Sequence, residues 1–195
     1  LHVNCCCINK DLINIEEFKK YFKIHTINIT SETYVNNLIE SQKIFMHPIP
    51  THSAVTYNIM CKYLKRKNIK VLFTGEGADE LFGGYDCYNK NKIDTKISAS
   101  NYSKFINNYI GEFNDSILKK KLSEKYLEYC NLYKNLDDPN YYYQAQFLTD
   151  FYFMANGVGN RTCDLIGGLN GLEMRSVFYR KEILEFIVNC PLRVK

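Results

Sequence analysis

The sequence predicts an α/β protein, an open and mostly parallel sheet followed by a helical half. Two observations predict it. From residue 1 to 74, apolar runs of strand length alternate with amphipathic helical segments, the order that gives a parallel sheet with helices on its faces. Beyond Tyr88 the period changes, and apolar residues recur at helical spacing. The expected organisation is one domain over 1–195, with an α/β part over 1–88 and a mainly helical part over 89–195.

Each element has its own signal. "LHVNCCCI" (1–8) is a short apolar run that reads as a buried strand. "NIEEFKKYF" (14–22) carries Ile15, Phe18, Tyr21 and Phe22 at helical spacing, with Asn14 available as a cap. "IHTINI" (24–29) alternates as a strand, and "SETYVNNLIESQKIF" (31–45) returns to the helical period. Prolines break "HPIPTH" (47–52) into a loop. A helix capped by Ser53 follows, with Ala54, Tyr57, Met60, Cys61 and Leu64 as its apolar stripe and Lys65, Arg66 and Lys67 in its last turn. The helix dipole favours positive charge there. "IKVLFT" (69–74) reads as the next buried strand. After a polar connection at 89–100, helices are expected over 101–113, 115–134, 140–155 and 182–190, with "NGVGNRT" (156–162) as a loop.

Composition narrows the function. With 46% hydrophobic and 24% charged residues, the 195-residue chain can bury a core as a soluble globular domain. The net charge of +4 comes from lysines scattered among acids, a solvated surface with no nucleic-acid face. No apolar run reaches membrane-spanning length, so no membrane partner is expected. The eight cysteines lack paired C-x-x-C spacing, and Cys5, Cys6 and Cys7 are consecutive. They read as reduced, mostly buried thiols of a cytoplasmic protein, and the four histidines show no metal-ligand spacing.

The stretch "VLFTGEGADELFGGYDCY" (71–88) carries the chemistry. An apolar strand stops at Thr74, and three acids with four glycines follow within ten residues. Ligands of open parallel sheets bind at the carboxyl ends of strands. Glycines let the backbone approach a phosphate and Thr74 adds a hydroxyl. An acid placed there suits a cation that also binds phosphate oxygens, so Asp79 reads as a Mg2+ ligand. The competing reading is a solvated acidic turn with Asp79 and Glu80 as helix-capping acids. No G-x-x-x-x-G-K-[ST] loop is present.

"TGEGADELFGGY" resembles the S-G-E-G-[AS]-D-E-x-F-G-G-Y signature of the synthetase domain of glutamine-hydrolysing asparagine synthetases. "HPIPTHSAVTYNIM" resembles that family's D-E-P-x-x-D-x-S-A segment. Residues 150–191 are similar to its C-terminal segment, which runs through K-x-D-R, G-L-E-x-R and P-F-L-D. The resemblance implies a pyrophosphatase-loop ATP fold, of the adenine nucleotide α-hydrolase-like type. It implies adenylation of the aspartate side-chain carboxylate by ATP with release of pyrophosphate, and displacement of AMP by ammonia. Thr74 and Gly75 fall where the family contacts the nucleotide, and Cys6 where a strand backbone group reaches the adenine. Glu76 matches the glutamate associated with forming and capturing the acyl-adenylate, and a carboxylate beside an ammonia nucleophile can accept its proton. Asp79 matches the Mg2+ carboxylate that neutralises two anionic reactants.

The match has departures. The S-G-G-x-D-S ATP loop and the glutaminase domain that delivers ammonia do not occur in the 195 residues. The first residue is Leu, so an upstream segment is expected. Met46-His47 stand for an acidic pair, and Thr51 for an aspartate. Thr162 replaces a frequent lysine, and Leu165 replaces the basic residue beside Asp164 expected near the pyrophosphate. Glu173 and Arg175 are retained and read as a structural ion pair. Two alternatives therefore stand beside asparagine formation. One is an inactive remnant or binding subunit of this fold. The other is a cyclase of the β-lactam synthetase or lasso-peptide type, acting on another carboxylate.

Overall fold

The computed structural model describes residues 4–8, 17, 19–46, 48–49, 51–85, 116–134 and 141–190. The polar connection over 89–100 and the helix expected over 101–113 lie outside these residues. So does the helix expected over 14–22, apart from Glu17, which is helical, and a turn at 19–21. The chain is α/β, with two small sheets and a mostly helical content. It divides into two compact units, Leu1–Phe73 with Arg161–Arg175, and Thr74–Asn160 with Ser176–Lys195.

In the first unit β1 (Asn4–Ile8) pairs in parallel with β2 (Lys23–Ile27), Cys6 opposite His25. Along β2, Ile27 packs against the core, and on the same face His25 Nδ1 lies 3.0 Å from the Tyr63 hydroxyl. Helix α1 (Ser31–Phe45) starts at Thr30, whose side chain accepts from the Thr33 N–H at 3.1 Å. Helix α2 (Ser53–Arg66) starts differently from the expectation. Ser53 is its first helical residue rather than its cap, and the Ser53 N–H donates to Thr51 Oγ1 at 2.9 Å. A donor left over by the helix start is thus satisfied from the preceding loop.

The stripe read from the sequence does become the core. Ala54, Met60, Cys61 and Leu64 of α2 pack with Phe45, Ile166 and Leu172, and Tyr57 closes the edge. Beneath them a polar chain is buried: Asn170 Nδ2 donates to Asn58 Oδ1 at 3.0 Å, and Asn58 Nδ2 donates to Ser41 Oγ at 3.1 Å. Partnered amides avoid the desolvation penalty that orphaned ones would carry.

β3 (Val71–Thr74) joins β4 (Glu173–Ser176) in the second sheet, and the Glu173 N–H donates to Lys70 O at 2.8 Å. The buried strand expected over 69–74 is corrected here. Val71 and Phe73 are exposed, Phe73 to 65%, because β3 pairs with β4 alone among the described strands. The loop expected over 156–162 is corrected too. A π-helical turn spans Ala155–Gly159 and a further helix follows over Asn160–Asn170. Thr162, Cys163, Ile166, Gly167 and Asn170 form its buried face. Glycines and asparagines hid this period in the sequence, because both weaken a helix signal.

The second unit holds α3 (Ala78–Phe82), α4 (Ser116–Tyr133), α5 (Tyr141–Met154) and a last helix over Lys181–Asn189. The latter three fall where helices were expected. Leu122, Tyr126, Tyr133 and Ala145 form the core between α4 and α5, with Leu148, Phe153 and Val188 against it. The buried Tyr133 hydroxyl donates to the Val188 carbonyl at 3.3 Å, giving the large ring a partner for its one polar atom.

Candidate active site at the end of β3

Thr74 ends β3 and is 7% exposed. Its Oγ1 is buried with no hydrogen-bond partner among the described residues, an uncommon condition for a native hydroxyl. Beside it Gly75 is exposed and faces open space, with no atom within 4 Å of where a Cβ would lie. A polar atom without a partner and a bare backbone next to it are suited to a ligand's oxygen atoms.

The chain then turns sharply. Gly77 takes φ +91°, and a Cβ there would lie 2.5 Å from Tyr179 Cε1. Both backbone and space therefore require glycine at this position. The Ala78 N–H donates to Gly75 O at 3.1 Å and opens α3. The turn and this short helix carry Glu76, Asp79 and Glu80 in three different settings.

Asp79 is exposed, and its carboxylate folds back over the next turn. A Cβ on Gly84 would stand 2.1 Å from Asp79 Oδ1, while the Gly84 N–H donates to the Asp79 carbonyl at 2.9 Å. Glu80 is 5% exposed, and the Tyr85 hydroxyl donates to its Oε1 at 2.6 Å. Burial pushes the Glu80 carboxyl up from its ordinary range. The neighbouring charges of Glu76 and Asp79 push the same way, against the Tyr85 hydrogen bond. Glu76 is half-buried. The Ser176 hydroxyl donates to its backbone carbonyl, and its Oε2 lies against the backbone of Gly159 in the π-helical turn.

The turn thus brings Thr74, Gly75, Glu76 and Asp79 together, as local sequence order requires. Cys6 belongs to the first unit, at the middle of β1. Among the described residues, no three His, Cys, Asp or Glu side chains gather as a metal cage. Sequence reasoning missed Ser176, Tyr179 and Gly159. All three lie at least 80 positions from the turn, so spacing within the motif carried no signal for them.

The asparagine synthase family model matches residues 9–195. The chain belongs to the asparagine synthase family. Among curated relatives, asparagine synthetase 1 (glutamine-hydrolysing) of Bacillus subtilis strain 168 is 40% identical over 60 residues. That stretch covers 31% of this chain and 9% of the relative. No solved structure matches. In this chain Leu165 packs against the first unit's core, while Arg161 and Asp164 are exposed. Glu173 and Arg175 form an exposed ion pair at 2.7 Å, which holds the Glu173 carboxyl below its ordinary range. No helix among the described residues is long and apolar enough to cross a membrane.

Proposed function

We propose that this chain is the ATP-dependent amide-forming part of an asparagine synthetase, built on the pyrophosphatase-loop ATP fold. The observation that carries the reading is the end of β3. There a buried Thr74 hydroxyl, unpartnered among the described residues, and the open Gly75 backbone stand beside a carboxylate turn. Thr74 and Gly75 contact the nucleotide and the backbone of Cys6 meets the adenine. Asp79 would hold Mg2+, which neutralises charge between triphosphate and carboxylate.

The reaction has two steps. A side-chain carboxylate oxygen of aspartate attacks the α-phosphorus of ATP, and the bond to the β-phosphate oxygen breaks to release pyrophosphate. Ammonia then attacks the acyl carbon, and the C–O bond to AMP breaks with its electron pair leaving on AMP. Glu76 accepts the proton that the nitrogen loses. Its carboxylate is fixed for this by the Ser176 bond to its backbone and by its seat on the Gly159 backbone. A glutaminase domain supplies the ammonia. The cytoplasm suits the thiols of Cys61, Cys130, Cys163 and Cys190.

Replacing Glu76 by Gln in the natural full-length protein should lower asparagine formation by about 10²–10⁴-fold. An unchanged yield would contradict the role of Glu76. One observation favours a second reading, a nucleotide-binding protein that does not complete the transfer. Leu165 is packed into apolar surroundings where the family pattern has a cation near the pyrophosphate, and a leaving group without that cation loses stabilisation. Under this reading Mg2+-ATP binds but aspartate elicits no turnover.

A further inference from the structure

We propose that the outer face of α1 is a self-association surface, on which a second copy of this chain packs its own α1 antiparallel about a two-fold axis. The proposal does not depend on the reaction above. It starts from a helix that is apolar on two sides. On its inner side Phe45 and Ser41 are buried. Lys62 of α2 ties the two helices together, donating to Asn37 Oδ1 at 2.9 Å and pairing with the Glu40 carboxylate. On its outer side Val35, Leu38 and Ile39 are exposed, Ile39 to 58%. Met46, just past the helix end, is 91% exposed.

Val35, Leu38 and Ile39 stand at i, i+3 and i+4, so they form one patch on one face of the helix. Single apolar residues scattered over a surface are ordinary. A stripe on a helix already seated by its opposite face is the pattern of a contact surface.

The charges beside the stripe select the occupant. Glu32 lies in the first turn of α1 and Lys43 in the last. Both are exposed, and neither has an ion-pair partner among the described residues. At about 100° per residue, the helix brings them back to within about 20° of one another, about 16 Å apart along the axis. They therefore share one edge of the stripe. A two-fold axis beside Leu38 reverses the helix direction and keeps each edge against itself. It sets Glu32 of one copy against Lys43 of the other, twice, with the apolar stripe between. An isologous interface must be self-complementary in this way. A different protein would impose no such relation on two charges of one edge. The antiparallel arrangement also opposes the two helix dipoles.

One helix pair buries less than the ~800 Å² per partner of a standard interface, so the association is weak and depends on concentration. Sedimentation equilibrium of the natural full-length protein, from about 1 to 200 μM, tests it. The parent should dimerise reversibly. Ile39→Glu places two carboxylates at the seam and should weaken the dimer by about tenfold or more, with the melting temperature of the monomer unchanged. Glu32→Lys and Lys43→Glu should each weaken it about fivefold, and the double variant should return to within about twofold of the parent. A monomeric parent overturns the proposal. A dimer indifferent to Ile39→Glu overturns it too, because its contact lies on another face. A double variant no tighter than the single ones overturns the antiparallel pairing and gives the stripe to a different partner.

Discussion

The Tyr85 hydroxyl donates to Glu80 Oε1 at 2.6 Å, closing the acidic turn back on itself five residues on. Glu80 is the buried acid of the three and Asp79 the exposed one. Neighbouring carboxylates in one short helix thus have separate tasks, one inside the fold and one facing solvent.

The Glu80 pair makes stability depend on pH. Burial raises the folded-state pKa of Glu80 above its ordinary value of 4.5, with Glu76 and Asp79 adding to the rise and Tyr85 opposing it. A raised pKa means that the folded state holds the proton more tightly than the unfolded state. This contribution is fully present below about pH 4.5 and is lost as pH rises through the folded value. Glu80→Gln keeps an acceptor for Tyr85 and removes the charge. Thermal unfolding from pH 4 to 8 should show a smaller decline in the variant than in the parent. Identical slopes would contradict the assignment.

Asp79 is held in place by the absence of a side chain on Gly84. A methyl group there would stand 2.1 Å from Oδ1, so Gly84→Ala should turn the carboxylate away. Isothermal titration with Mg2+-ATP should show both Asp79→Ala and Gly84→Ala weakened about tenfold or more relative to the parent. Binding in the absence of Mg2+ should change little in either.

Thr74 separates function from stability. Its hydroxyl is buried without a partner among the described residues, a condition that costs about 1–3 kcal/mol. Thr74→Val keeps the β-branched shape suited to a strand. It should raise the melting temperature of the ligand-free protein and weaken ATP binding. A lower melting temperature would mean that the hydroxyl has an internal partner after all.

The core of the first unit sets a control on fold. Leu64 is 3% exposed among Ala54, Cys61 and Ile166, and Leu64→Ala should cost about 2–5 kcal/mol by chemical denaturation. A loss below about 1 kcal/mol would show that this cluster is not the core.

Legibility in the sequence followed distance along the chain. The stripe from Ala54 to Leu64 and the turn from Thr74 to Asp79 are local patterns, so period and residue type revealed both. The helix over Asn160–Asn170 was missed because its glycines and asparagines read as a loop, while tertiary burial of Cys163 and Ile166 sustains it. Ser176 and Tyr179 meet the Glu76 turn from about a hundred positions away, and only folding places them there. Phe73 was read as buried because apolar residues predict burial, yet it is exposed on a strand that pairs with β4 alone among the described strands.

The most direct test of the central claim is ATP–pyrophosphate exchange by the natural full-length protein. Exchange should require both aspartate and Mg2+, and should be largely lost in Asp79→Ala. Mg2+-ATP binding with no aspartate-dependent exchange would contradict the claim and leave a protein that holds the nucleotide without activating a carboxylate.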